Sequence, residues 1–484
     1  MTEKPVRKLS RRDILKISGT ALAGIVLVGC TPATPTEAPP AATTAPTTAA
    51  EVKPEPTAVV TQPDAPTAEP VAKPVEGHVV VMHALHEFTE DHVAAFQDAN
   101  PGVTVEVVDG TDATRFFAMY AAGTPPDIYR LQAPSIPGLL ARKLLLDLTP
   151  YFESSDLIDV ADLAPANDYY KAESPLEIGK GKIYGMVKDF SPDTTIFANK
   201  TLFEAAGLPV PDDTKPMTYD EIMEASKKLT VFDGERMMQY GYGYDATWID
   251  RFWMNILGET DKSLYTPGYE KINLAANEDA IPVAKWFYDM AVEKLTPSPK
   301  NPSPSGWFGN DFVAGIDAMA QYGFWYSAMA IGDANKDGAM MLPGPTWTGV
   351  RRDPTVTATG AILTSATQVP DAAWKVYEWY HAGQPSIDRA GSGWGVPALK
   401  SQWSMIPQET DFQKQAYKVL QGELALNTPP LQFNPFIGET VVSTAYNKYL
   451  DQALSGTVTF EEMLVGIETE TNAAIKDGID RIMG

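Results

Sequence analysis

Cysteine is almost missing from this 484-residue chain: Cys30 stands alone, so no intramolecular disulfide is available and no thiolate cluster can hold zinc. Positive charge is scarce as well. Lys and Arg number 38 against 62 Asp and Glu, and the resulting net charge of -24 repels phosphate backbones and anionic lipid surfaces, which argues against nucleic acid as a partner. Long apolar runs are also lacking, since Ile17 to Val28 is too short to cross a bilayer as a mature helix. Histidine is rare, and four of the five lie between His78 and His92. His83-x-x-His86 lies on a strand followed by a loop, where nothing forces both rings to one side, and no metal is expected.

What is present divides the chain. Lys4, Arg7, Lys8, Arg11 and Arg12 precede the apolar run to Val28, so residues 1–30 read as an export signal. Ser10-Arg11-Arg12-Asp13 resembles a twin-arginine motif, and Leu27-Val28-Gly29-Cys30 resembles a bacterial lipobox, which makes Cys30 the expected lipidation site. Residues 31–76 are rich in Thr, Pro and Ala and have no aromatic side chain, a composition that cannot build a core and suits an extended tether.

From Val79 the pattern becomes that of packed α/β structure. Val79 to Met82 and Val103 to Val108 read as strands around a helix at Thr89 to Ala99, and the helix at Asp112 to Ala122 with the strand at Asp127 to Leu131 repeats the unit. The central stretch, Gly179 to Leu229, holds a short strand, a polar crossing at Lys188 to Thr195 and a helix capped by Asn199 and closed at Gly207. A second helix there begins with a Thr218/Glu221 capping box.

Gly181-Lys182-Ile183-Tyr184-Gly185, Asn199-Lys200, Leu202-Phe203-Glu204-Ala205-Ala206-Gly207-Leu208 and Thr218-Tyr219-Asp220-Glu221-Ile222 resemble the signature of the extracytoplasmic solute-binding proteins of ABC transporters, in the sugar-binding, maltose-binding-protein-like branch. Asn100-Pro101-Gly102-Val103, Pro125-Pro126-Asp127-Ile128 and the run Phe312 to Ala320 extend the likeness from Val79 to Ile475. Val187 and Phe197-Ala198 depart from the family pattern at the crossing. The resemblance implies a periplasmic-binding-protein-like class II α/β fold: two lobes with mostly parallel sheets joined by a hinge of several crossings, near Met186 to Pro192, Asp353 to Ala358 and Trp403 to Gln408. Residues 77–188 and 358–403 would form lobe 1, and residues 189–357 and 404–484 lobe 2. It also implies a small carbohydrate ligand, delivery to the transmembrane subunits of an ABC permease, no catalysis and no cofactor. The protein is expected as a monomer, lipid-anchored at the outer face of the cytoplasmic membrane.

Ten tryptophans carry the strongest chemical signal, because flat rings match the apolar C–H faces of sugars while acids and arginines match the hydroxyl rim. Trp374 and Trp379 fall in a helical period and read as core. Trp248, Trp253, Trp307, Trp325, Trp347 and Trp394 fall at the ends of apolar runs, where core packing and ligand contact both stay open. The candidate ligand residues are Trp325 and its neighbour Tyr326, Trp394, Trp248, Trp253, Asp250 and Arg251, Asp193 in the crossing, and Asp127 with Arg130 at a strand end. His86 joins them from the loop after the first strand, where α/β folds place ligands. The acids also leave a secreted polysaccharide-active enzyme open. A ligand-presenting sensor is the other alternative. Asp333 to Gly338 imitates half a calcium loop but has Gly344 where the twelfth-position carboxylate belongs.

Overall fold

The computed structural model describes residues 75–483. The expectations placed on the export signal, on Cys30 and on nearly all of the tether fall outside the described residues.

The first sheet has the order Val103–Asp109, Gly77–His83, Ile128–Leu131, Gly360–Leu363, Gly185–Val187. The first three strands are parallel, as a right-handed β-helix-β connection requires, and Gly360–Leu363 enters antiparallel to both of its neighbours. All four of its residues are buried, as its uninterrupted Gly-Ala-Ile-Leu run permits. Phe96 from Glu90–Ala99 and Phe116 from Ala113–Ala121 enter this core, the latter stacked on Tyr129 with centroids 4.1 Å apart. Trp374, Tyr377 and Tyr380 on Pro370–Ala382 are buried, as their spacing predicts.

The second sheet centres on Ile196–Asn199, which pairs antiparallel with Met319–Gln321 and with Ala339–Leu342. Parallel bridges from Tyr240 to Asp317 and from Gly243 to Ala320 extend its edge. Helices Tyr219–Leu229, Ile249–Gly258 and Ala280–Val292 belong to this half. The local stop and start signals hold here: Asn199 accepts the Thr201 N–H, Gly207 takes φ 69°, and the Thr218/Glu221 box is complete.

Two polar crossings run side by side between the sheets. The Lys188 N–H donates to Thr359 O, the Asp193 N–H to Pro354 O and the Thr194 N–H to the Asp353 carboxylate. Lys400–Met405 forms a short 3-10 helix, anchored by Trp403 Nε1 donating to Pro397 O.

Candidate functional site

Two tryptophans, one from each sheet's half, meet above the outgoing crossing. Trp325 lies in the turn Phe324–Ala328 that follows Met319–Gln321, and its backbone N–H donates to Ser191 Oγ at 3.1 Å. Gly323 lets the turn sit this low: a Cβ there would come within 2.0 Å of Asp193 Oδ1. Trp394 follows the helix Gln384–Ser392, which Gly393 closes in the left-handed conformation at φ 76°. Its loop then pairs Val396 with Phe190. Neighbouring residues of one crossing therefore hold both rings, whose centroids are 5.7 Å apart at 45°. That is ring-on-ring contact, so a flat ligand stacks beside the pair and not between its members.

Beside Trp394 lies a cavity of about 300 Å3, lined also by His86, Glu87, Lys188, Tyr380 and Arg389. Beneath it is an ion network. Glu87 takes two hydrogen bonds from Arg130, at 3.0 and 3.1 Å, and lies 3.3 Å from Lys188 Nζ. Lys188 also reaches Asp189 Oδ2 at 2.5 Å, while Arg389 lies over the Tyr380 ring and 3.8 Å from the same Asp189 oxygen. Burial alone would raise the Glu87 pKa, but Lys188 and Arg130 outweigh it and hold the carboxylate ionised well below its usual range. His83, buried against Phe88 and Tyr380, is pushed down to about 3 by burial and stays neutral. Asp388 also lines the cavity, so three cations (Arg130, Lys188, Arg389) meet three acids (Glu87, Asp189, Asp388). The formal charges balance, which favours a neutral hydroxylated ligand over an ion.

Residues 84–381, well over half of the chain, match the family model of the bacterial extracellular solute-binding proteins. The chain belongs to this family. No curated protein sequence matches it. Among solved structures it is similar to an ABC substrate-binding protein from Listeria monocytogenes in complex with cycloalternan, at 21% identity and a TM-score of 0.67, covering 83% of this chain and 99% of that one. An ABC transporter solute-binding protein from Agrobacterium radiobacter in complex with ribitol is similar at 19% identity and a TM-score of 0.64, covering 83% and 100%. The sugar-binding protein MalE from Xanthomonas citri is similar at 16% identity and 0.62, covering 83% and 98%. These likenesses show the fold: a periplasmic-binding-protein-like arrangement of two lobes.

In this solute-binding protein, the residues singled out from sequence divide. Trp394 and His86 line the cavity, His86 exposed on its wall, and Trp325 is half-buried against Trp394. The others serve the scaffold. Trp253 is 1% exposed and packs edge-on against Tyr446, and Tyr326 is buried with its hydroxyl donating to Gly309 O. Trp248 is buried against Phe252 and Tyr322. Asp127 accepts the Val80 N–H and the Thr367 hydroxyl, and Arg130 is occupied by Glu87. Asp193 is a hinge clamp, taking hydrogen bonds from Thr355, Val356 and Thr357. Asp250 is buried, with its carboxyl pushed up to about 6 by desolvation against the pull of Arg251. Arg251 is spent on Gln132, the Val356 carbonyl and Glu439. Glu87, Lys188, Asp189 and Arg389 went unselected; the one sequence signal for them is charge inside or beside segments that must be buried for the sheet to close.

Proposed function

We propose that this chain is the substrate-binding component of an ABC importer, which captures a small neutral carbohydrate between its lobes and delivers it to a membrane permease. The observation that carries the reading is the Trp325–Trp394 pair, one ring from each half, beside a charge-balanced cavity. Ring faces supply the platform for sugar C–H groups, and the paired acids and cations supply donors and acceptors for hydroxyls. Solved relatives in complex with cycloalternan, ribitol and β-1,6-galactobiose support the ligand class.

The same reading divides the molecule into lobe 1 at 77–188 and 358–403 and lobe 2 at 189–357 and 404–484. It is supported by the first sheet's strands falling wholly in the first set of ranges and the second sheet's in the second. The lobes close by bending at the paired crossings, and the protein works as a monomer without catalysis, held at the outer face of the membrane by lipid on Cys30. The test is a thermal-shift and calorimetric screen of the purified protein against monosaccharides, polyols and oligosaccharides. A ligand at a hundred times its Kd adds about 2.7 kcal/mol of stability. Binding without turnover supports the reading; a glycan hydrolysed, or no carbohydrate bound, overturns it.

A further inference from the structure

The helix Glu90–Ala99 opens on an unusual cap. Thr89 is its N-cap, and the residue that completes the capping box three positions on is a histidine, where glutamate or glutamine ordinarily serves. The Thr89 N–H donates to His92 Nδ1 at 3.1 Å, and the His92 N–H donates back to Thr89 Oγ1 at 3.3 Å. Nδ1 can accept only while it carries no proton, so this bond assigns the ring as neutral, with its hydrogen on Nε2. A glutamine in its place would carry no such condition.

The cap fastens one end of a segment that faces the ligand cavity. Residues 84–89 leave the end of Gly77–His83, turn with the Glu87 and Phe88 N–H groups donating to Ala84 O, and reach the helix at Thr89. His86, Glu87 and His92 itself all line the cavity beside Trp394. The His92 ring stands edge-on to Phe88, Tyr380 and Trp379, with centroids 6.0, 5.9 and 6.2 Å away, so it also wedges the segment against the helix Pro370–Ala382. The titratable and charged groups around it are Arg389 and Asp388 from Gln384–Ser392, Tyr380 from Pro370–Ala382, Asp91 on its own helix, and His86 and Glu87 in the segment. Partial burial, and then Arg389, lower the pKa of the ring from its ordinary 6.5, while Asp388 and Asp91 pull the other way. The ring is therefore neutral at pH 7 and takes up its proton in acid.

Resting on the carbohydrate reading above, we propose that His92 is a positioning residue of the ligand site: its neutral ring fastens the segment that carries His86 and Glu87, and a proton taken from solvent by Nδ1 frees the Thr89 end and weakens carbohydrate binding. The protonated ring has two donors and no acceptor, so the Thr89 N–H loses its partner and faces a second N–H. It also sets a positive charge against Arg389, which lies over the Tyr380 ring and beside Asp189 in the same cavity wall. Capture is thus tighter at neutral pH and loosens as pH falls below 6.5.

The experiment compares the full chain with His92→Gln and His92→Ala at about pH 8 and about pH 5. Glutamine offers the cap an acceptor oxygen that does not titrate, and alanine offers none. Two readouts are taken: backbone hydrogen exchange over residues 84–93 without ligand, and calorimetric affinity for β-1,6-galactobiose, ribitol and cycloalternan, the ligands of solved relatives. On acidification the native segment should open roughly fivefold more than that of His92→Gln, the scale of one capping bond, and affinity for the probe that binds should fall by the same factor. His92→Ala should be open and weak at both pH values. A merely weakened fold would show at both pH values alike, whereas rescue by glutamine confined to acid marks the proton on His92. Parallel exchange in the native and His92→Gln proteins overturns the positioning role. Exchange that differs while the affinities run parallel overturns its link to the ligand. Where none of the three probes binds, the failure is that of the carbohydrate reading, and the exchange comparison still decides the positioning role.

Discussion

Asp193 Oδ2 accepts the backbone N–H of Val356 at 2.7 Å, and this bond ties the outgoing crossing to the returning one. The same oxygen also takes the Thr355 hydroxyl at 3.0 Å and the Thr357 N–H at 3.2 Å, so one carboxylate serves as the acceptor for a whole turn of the second crossing. Asp193→Ala leaves those buried donors without a partner, at about 1–3 kcal/mol for each lost acceptor bond that water cannot replace. Chemical denaturation should show a midpoint shift of that scale. An unchanged midpoint would mean that the crossings hold together without it.

The Asp193 carboxyl also titrates in an unusual range. Burial, only partly offset by the donors from Val356 and Thr355, raises its pKa from 3.8 to about 6. A raised folded-state value means that stability is fully present below about 3.8 and is lost as pH rises through about 6. Asp193→Asn keeps an acceptor oxygen and removes the titration. Its stability relative to the native protein should therefore climb between pH 4 and pH 7; a flat difference across that interval refutes the assignment.

Glu87 behaves in the opposite sense, because Lys188 and Arg130 hold its folded pKa far below the ordinary 4.5. Its stabilising contribution is present above about 4.5 and is lost as pH falls towards the folded value. Glu87→Ala takes from Arg130, 16% exposed, its hydrogen-bonded counter-ion and leaves Lys188, 3% exposed, with Asp189 alone, at a cost of about 3–5 kcal/mol. Thermal unfolding at pH 7 measures that loss, and the gap between variant and native protein should narrow as the solution is acidified.

Local chemistry was the legible part of this chain. The Thr218/Glu221 box and the glycine stop at Gly207 depend on residues a few positions apart, and each stands where the spacing puts it. That Trp325 and Trp394 lie in turns at the ends of apolar runs was legible for the same reason, each following a turn glycine. Arg130 was not, since an arginine at a strand end reads alike whether its partner is a ligand or Glu87, 43 positions earlier. Asp250, Arg251 and Trp253 misled because polar neighbours suggest an exposed face, whereas Ile249–Gly258 is buried almost all round, its charges included. Asp193 read as a cleft acid because a crossing lines a cleft, yet its donors lie 162 and more positions away.

Anchoring is tested outside the described residues. The run Leu27-Val28-Gly29-Cys30 ends in the chain's one thiol, which is where a lipobox needs it. Cys30→Ala should release the protein from the membrane fraction or leave the uncleaved precursor. Retention with normal processing would remove the lipid anchor from the proposed function.

Trp394 and Trp253 give the sharpest contrast between cleft and core. Trp394 is half-buried, on a loop held by the Gly393 turn and by Val396 pairing with Phe190, so truncating its ring takes little from the packing beneath. Trp253 is 1% exposed within a helix packed on Tyr446, and its truncation opens a cavity in the second half's core. Trp253→Ala should cost about 3–5 kcal/mol of stability. Trp394→Ala should melt near the native temperature but lose about 1–3 kcal/mol of carbohydrate binding, the scale of one aromatic anchor at an interface. Melting curves and titrations on both variants separate the cases. If Trp394→Ala binds normally, the platform is not at Trp394; if it unfolds as Trp253→Ala does, the ring belongs to the core and the Trp325–Trp394 contact is structural.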